Sequence, residues 1–315
     1  MTVSSLTGYH SVQPIPRVGK ISFQEFETNF YSKEQPVILT DMIGNWPAMS
    51  EWTPQALKPI FGDAVLDASV DLPVGGAPGD HNWTGHSKKM RVAEFLDLMT
   101  AAERPCYMRQ APSTKLASFE HYFDFGVLFP GMAERDPQSN LWLGSAGTDS
   151  GLHWDTAMNF LAQIYGRKEL VLFSPRDTGH LYAYPDQIRW SHFNAFEPDF
   201  TAHPRARKAT AYTGILGAGE VIHIPRTWWH EVRSLDPAIS INCFFRPECS
   251  LRHFWSAMVK GGLSTMLNVG ADFVRLGIFK GSRGNRLFAD IPTGLYLYHL
   301  CSGYVRRRFS RSAAT

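Results

Sequence analysis

The sequence predicts a mainly β domain, a sandwich or barrel, with helices added at both ends. Three observations predict it. From about Cys106 to Pro247, short runs rich in β-branched, Leu and aromatic residues alternate with Gly, Pro and Asp breaks, as in barrels and sandwiches. Ahead of that region, two stretches carry helix-start signals. Beyond it, the apolar period returns to that of a helix. The chain has 315 residues, 44% hydrophobic and 13% aromatic, which excludes disorder along its whole length. That length is near the size at which one core stops growing, so one large domain and an appendage are expected.

In chain order, residues 1–20 form an extended lead-in with Pro14 and Pro16. Ser22 precedes a helical pattern of Phe23, Phe26 and Phe30, and Glu25 completes a capping box. Pro36–Thr40 (PVILT) is a short buried strand. Helices are expected over 53–61, where Pro54 follows the cap Thr53, and over 92–101. The strand candidates are CYMRQ, NLWLG, LHWDTAMNFLAQIYG, KELVLFS, TGILGAGEVIHIP, WWHEVRSL and AISINCFFRP. Residues 176–210 interrupt them with Pro185, Pro198, Pro204 and many aromatics, the composition of an ordered functional loop. Residues 251–315 read as two amphipathic helices. One carries Met266, Val269, Phe273 and Leu276, the other Leu297, Leu300, Tyr304 and Val305, with Gly281–Gly294 between them. The expected division is therefore 1–250, with a barrel core at 105–250, and 251–315.

The net charge of +2 argues against a polyanion binder, and no nucleic acid is expected. The charge is uneven: residues 281–315 hold six Arg (Arg283, Arg286, Arg306, Arg307, Arg308, Arg311) against Asp290. That basic end reads as solvated, with contact to an anionic surface as the alternative. Cys106, Cys243, Cys249 and Cys301 have no C-x-x-C spacing and read as free thiols of a reducing compartment. The first 20 residues hold no apolar signal segment, and no run of about 18 apolar residues occurs. A cytoplasmic protein without a transmembrane segment is expected.

The chemistry concentrates at His153-Trp154-Asp155. On a strand, residues i and i+2 share a face, so His153 and Asp155 aim an imidazole and a carboxylate at one point. His230, 75 residues beyond Asp155, supplies a second imidazole. Two His and one carboxylate form the facial triad of non-haem Fe(II) oxygenases, which leaves coordination positions open. An isolated H-x-D is weak support for a metal. Here Gly217–Pro225 adds a turn, a strand and a Pro break that deliver Trp228, Trp229 and His230 to the next strand. His223 lacks a matching carboxylate and reads as structural. His180, His192 and His203 read as surface residues or substrate contacts, and Trp228 and Trp229 as barrel packing. Neither a phosphate loop nor a dinucleotide fingerprint occurs.

HWDTAMNFLAQIYGRKELVLFSP, GAGEVIHIPRTWWHEV, ISINCFF and the N-terminal QPVILTDMIGNWPA together resemble the JmjC/cupin-like 2-oxoglutarate oxygenases. The subgroup is the one containing the asparaginyl hydroxylase that acts on hypoxia-inducible factor. The resemblance spans roughly residues 20–250. It implies a double-stranded β-helix that binds Fe(II) through His153, Asp155 and His230 and uses 2-oxoglutarate and dioxygen. It implies that Lys168, thirteen residues after Asp155, holds the far carboxylate of 2-oxoglutarate. Tyr107 and Ser150 would also contact that co-substrate, Ser150 standing where the family often has Thr. Asn159 and Asn242 match positions near the iron and the co-substrate. Arg109, Gln110 and Phe244 fall at the expected substrate cleft. There Arg109 replaces an amide residue and Phe244 a Trp of the asparaginyl hydroxylase. The equivalent C-terminal helices of that enzyme dimerise, which implies a homodimer through residues 264–305; the alternative is that the helices fold back on their own barrel.

The activity expected on this basis is hydroxylation of an unactivated C–H bond, with succinate and carbon dioxide as co-products. The substrate would be a peptide or protein side chain or a small metabolite. N-methyl-lysine demethylation and a non-catalytic cupin that binds a ligand or partner are the alternatives.

Overall fold

The computed structural model describes residues 6–73, 83–101, 104–128, 137–245, 249–281 and 292–312. It has 14 strands among the described residues. These are β1 (Ser11–Pro14), β2 (Arg17–Val18), β3 (Val37–Leu39), β4 (Val65–Ser69), β5 (Ser87–Arg91), β6 (Tyr107–Pro112) and β7 (Gln138–Gly144). They continue with β8 (His153–Trp154), β9 (Met158–Tyr165), β10 (Lys168–Phe173), β11 (Thr210–Leu216), β12 (Val221–Ile224), β13 (Trp229–Ser234) and β14 (Ala238–Phe245). The helices are α1 (Phe23–Phe26), α2 (Pro47–Glu51), α3 (Pro54–Phe61), α4 (Trp83–His86), α5 (Val92–Ala101), α6 (Phe125–Leu128), α7 (Leu251–Gly261), α8 (Leu263–Asp272) and α9 (Thr293–Ser312).

The strands form two sheets, ordered β1-β11-β10-β13-β8 and β2-β3-β12-β9-β14-β7-β6-β4-β5. The fold is thus a cupin-like jelly roll with helical additions, as the sequence predicts. Its inner layer packs Ile15, Ile38, Leu161, Leu170, Leu172, Ile222, Ile224 and Val232 between the sheets. The other face of the larger sheet, with Leu141, Leu143, Phe160, Ala162, Ile239 and Ile241, is covered by the N-terminal helices through Phe26, Trp46, Trp52, Leu57 and Phe95. β9 and β14 are therefore buried on both faces, which is why they read as nearly continuous apolar runs rather than alternating ones.

The helix signals act as expected. The Ser22 hydroxyl accepts from the Glu25 N–H, and the Ser22 N–H donates to the Glu25 carboxylate at 2.8 Å. Thr53 caps α3 by accepting from the Ala56 N–H at 3.1 Å. The first helix is shorter than its pattern: after Phe26 the chain widens into five-residue turns over Glu27–Tyr31. The lead-in is extended but not free, since β1 pairs parallel to β11 and β2 parallel to β3. β5 escaped the sequence reading because it is the charged edge of the larger sheet. Lys88, Lys89 and Arg91 are exposed there with little apolar signal, as on edge strands that resist further pairing.

The C-terminal region carries one more helix than predicted. α7 buries Phe254 and Met258 but exposes Leu251, Trp255 and Val259, so its apolar residues do not fall on one stripe. α8 runs on through wide turns at Phe273–Ile278. Val269 and Leu297 join a core with Leu152, Trp154, Phe173 and Trp229 of the barrel, and Leu276 is buried too. Of the two stripes expected at a dimer seam, Met266, Val269, Phe273, Leu297 and Leu300 thus pack on this core, where the smaller sheet and the long loop leave an apolar face. The side chains of Tyr304 and Val305 and of the tail arginines lie outside the described residues, as do Arg283, Arg286 and most of the Gly281–Gly294 link. Among the described residues no helix is long and apolar enough to cross a membrane.

Candidate metal centre

β8 is two residues long, and β13 lies antiparallel beside it with His230 directly opposite His153. Cross-strand partners share a face, so the two imidazoles meet over the barrel mouth, ring centroids 4.3 Å apart. Asp155 follows on the His153 face, with Oδ2 3.5 Å from His230 Nε2. One donor atom from each of the three residues lies within 4.8 Å of the others.

The histidines are held in one tautomer. Nδ1 of His153 faces the Gly151 carbonyl at 2.8 Å, and Nδ1 of His230 faces the Trp228 carbonyl at 2.9 Å. Each Nδ1–H donates to that carbonyl, which leaves both Nε2 lone pairs for a ligand. Burial, followed by the His230 charge, lowers His153 to about 4, so it is a neutral ligand at pH 7. Burial opposes the charge on Asp155, but His230, His153 and Arg189 together outweigh it and lower the carboxyl to about 2. Two imidazoles and one carboxylate suit a divalent first-row metal better than Mg2+ or Ca2+, which prefer all-oxygen sites.

A cavity of about 620 Å3 opens beside the triad. Lys168 reaches it by register. On β10, Leu172 is the partner of His230 and Lys168 the partner of Ser234, so Lys168 shares the inward face of His230. The two sites are four residues apart along the sheet, roughly 13 Å at about 3.3 Å per residue. Lys168 is 2% exposed. Burial lowers its ammonium to about 7, and no charge among the described residues contributes to that shift. Its Nζ stands 5.9 Å from the Tyr107 ring. A buried cation without a paired carboxylate suits an anionic ligand.

The opposite wall is amide-rich. Asn242 Nδ2 donates to Asn159 Oδ1 at 2.9 Å, while Asn242 Oδ1 accepts from Trp142 Nε1 at 2.7 Å and from Asn140 Nδ2 at 3.1 Å. Ser150 also lines the cavity, but its hydroxyl accepts from the Val232 N–H and donates to the Gly151 carbonyl. Its proton is committed to the backbone. Arg109, Gln110 and Phe244 line the same cavity. The pairing of β6 with β7 shifts between Met108 and Ala111, and Gln110 has φ 49. That bulge, rather than simple alternation, turns both Arg109 and Gln110 toward the cavity.

The structure thus brings every sequence-predicted site residue to one cavity. Sequence reasoning missed Trp190, whose ring stacks on His153 at 4.6 Å and 15°. It also missed Arg189, Trp142 and Asn140. Trp190 and Arg189 sit in the long loop, which clips onto β8: the Trp154 N–H donates to the Arg189 carbonyl and the Ser191 N–H to that of Leu152. The loop's aromatic content was the available signal. His223 is buried between Phe26 and Phe160 with neither ring nitrogen hydrogen-bonded, away from the triad.

The family model described as a cupin-like domain matches residues 23–251. Among curated proteins, the chain is 30% identical over 239 residues to lysine-specific demethylase 8 of Xenopus tropicalis, covering 72% of this chain and 52% of that protein. It is 28% identical over 256 residues to Jumonji C domain-containing protein 5 of Drosophila melanogaster, covering 76% and 62%. It is 32% identical over 240 residues to an HSPB1-associated protein 1 homolog of Danio rerio, covering 66% and 51%. The chain spans between about half and three-fifths of the length of these relatives.

Proposed function

Since the chain belongs to the cupin-like, JmjC-type family, we propose that it is an Fe(II)- and 2-oxoglutarate-dependent dioxygenase that hydroxylates a C–H bond of a peptide or protein side chain. One observation carries the reading: a His-Asp-His triad shares its inward face with a buried lysine that has no paired carboxylate among the described residues. A bound Fe(II) with 2-oxoglutarate supplies dioxygen activation, with succinate and carbon dioxide as products.

The chain's residues do the rest. His153, Asp155 and His230 would hold the metal through their clustered donor atoms. Lys168 pairs with the distal carboxylate of the co-substrate, and Tyr107 contacts it from β6. The Asn159–Asn242–Asn140 network, braced by Trp142, keeps the opposite wall in one arrangement. Ser150 acts through the backbone, fixing the β8 approach against Val232. Arg109, Gln110 and Phe244 border the space left for the substrate. Residues 1–250 would form the oxygenase unit and 251–315 a helical region that covers its smaller sheet. The four cysteines, none in a disulfide, support a cytoplasmic setting.

Demethylation of N-methyl-lysine is the second reading, favoured by the name of one relative. Against it, Arg109 and Arg189 both line the cavity and would repel a methylammonium group. Intact-mass analysis of candidate peptides incubated with Fe(II) and 2-oxoglutarate tests both. A gain of about 16 Da, one oxygen atom, supports hydroxylation, whereas a loss of about 14 Da with formaldehyde supports demethylation. No mass change and no succinate across a broad peptide panel would contradict the proposal.

A further inference from the structure

The C-terminal helices cover the barrel through Phe254, Met258, Val269 and Leu297 and leave other large apolar side chains exposed. Leu251, Trp255 and Val259 recur every four residues along α7 and are 48, 58 and 51% exposed. Beyond the break at Gly262, Leu263 and Leu267 of α8 are 72 and 64% exposed, and Phe279 ends the segment at 76%. Monomeric domains rarely leave so many large apolar side chains together in sequence and space-facing.

Within residues 251–281 the exposed charge has one sign, and the acids that face it from neighbouring elements are Glu34 and Asp177. Arg252, Lys260, Arg275 and Lys280 are all exposed, and the single acid from 251 to 281, Asp272, is buried. The sequence continues with Arg283 and Arg286, and the last ten residues hold four more arginines. We propose that this face docks on an anionic lipid surface. Apolar side chains with a Trp and a Phe among them, flanked by Lys and Arg, are what an interfacial helix inserts at the headgroup boundary while its cations meet anionic lipid.

A second copy of the chain suits the face poorly. A two-fold interface sets each patch against itself, which would bring these cations onto like charge. An acidic protein helix would need a groove to receive it, whereas Trp255, Leu263 and Phe279 stand out as knobs. The proposal does not depend on the oxygenase reading.

The test is co-sedimentation of the full chain with vesicles, either phosphatidylcholine alone or with about 30% phosphatidylserine, at about 0.1 M salt, where surface charge is only partly screened. The expected result is binding to the anionic vesicles and at least tenfold less to the neutral ones. Trp255→Glu with Leu263→Glu and Phe279→Glu should reduce the bound fraction about tenfold. Arg252→Glu with Lys280→Glu should do the same. All these residues are exposed, so both variants should keep the wild-type thermal melt, and the charge variant leaves the apolar residues intact should the triple variant misfold. Three results would overturn the proposal. The first is no sedimentation with anionic vesicles. The second is binding that both variants retain, which assigns it to the terminal arginines alone. The third is a particle of twice the 35.4 kDa chain mass without vesicle binding, which gives the face to a second copy.

Discussion

His153 lies face to face with Trp190, ring centroids 4.6 Å apart and planes 15° from parallel. The indole fixes the plane of an imidazole whose Nδ1–H is already tied to Gly151. Together they restrict the ring to one orientation, with Nε2 toward Asp155 and His230. Trp190→Ala should therefore weaken Fe(II) binding about tenfold or more, the usual cost of losing a group that orients a metal ligand. Trp190→Phe should recover most of it. Isothermal titration under anaerobic conditions checks the pair; an unchanged affinity in Trp190→Ala would mean that Gly151 alone orients the ring.

Lys168 titrates in the neutral range because burial opposes its charge, lowering it to about 7. The sign follows. Below pH 7 the ammonium is already formed and a carboxylate binds without proton exchange. Above pH 7 the free protein holds a neutral amine, so carboxylate binding must take up a proton. The affinity for 2-oxoglutarate should fall as pH rises beyond about 7, approaching tenfold per pH unit. Titrations in buffers of different ionisation enthalpy would register the uptake. In Lys168→Ala the pH slope should vanish and the apparent KM should rise at least about tenfold, the lower end of what losing a buried charge partner costs.

His223 is buried with both ring nitrogens without hydrogen bonds, and burial followed by the Arg226 charge lowers it to about 3. An unfolded His binds a proton near pH 6.5. Between about 6.5 and 3 the unfolded state therefore carries the extra proton, and stability is lost as pH falls through that window, by up to about 1.4 kcal/mol per unit. His223→Leu should flatten the acid side of the stability profile relative to wild type and leave Fe(II) affinity unchanged. A loss of iron with this variant would contradict its structural role.

The barrel and triad were legible because they rest on local rules. Strand alternation put His153 and Asp155 on one face, and the Gly217–Pro225 punctuation located the strand before His230. Whether the C-terminal stripes meet the barrel or a second copy was not legible, because an interface stripe and an interior stripe have the same composition. Val269 and Leu297 meet the barrel, while the outward residues of α7 and α8 stay bare. Trp190 and Arg189 escaped because their place follows from the loop pairing with β8, a long-range contact that no short pattern encodes. The resemblance put Arg109 at the cleft, and in the structure a bulge turns it toward the cavity.

Leu297 is 7% exposed and lies in the core shared with the barrel. Leu297→Arg should therefore destabilise the folded chain by several kcal/mol, the effect of an unpaired buried charge. Chemical denaturation should show a lower midpoint at every protein concentration. A mutant of wild-type stability that merely changes particle mass would instead return this residue to a seam between copies.

The central claim is that His153, Asp155, His230 and Lys168 form one site for a metal and a 2-oxo acid. Anaerobic titration of the full chain with Fe(II) and then 2-oxoglutarate tests it most directly, followed by visible absorption. The account predicts a metal-to-ligand charge-transfer band that appears only when both are present. The band should be lost in Asp155→Ala, and in Lys168→Ala it should need at least about tenfold more 2-oxoglutarate. A wild-type protein that binds neither and develops no band at saturating concentrations would contradict the account and leave a cupin fold without this chemistry.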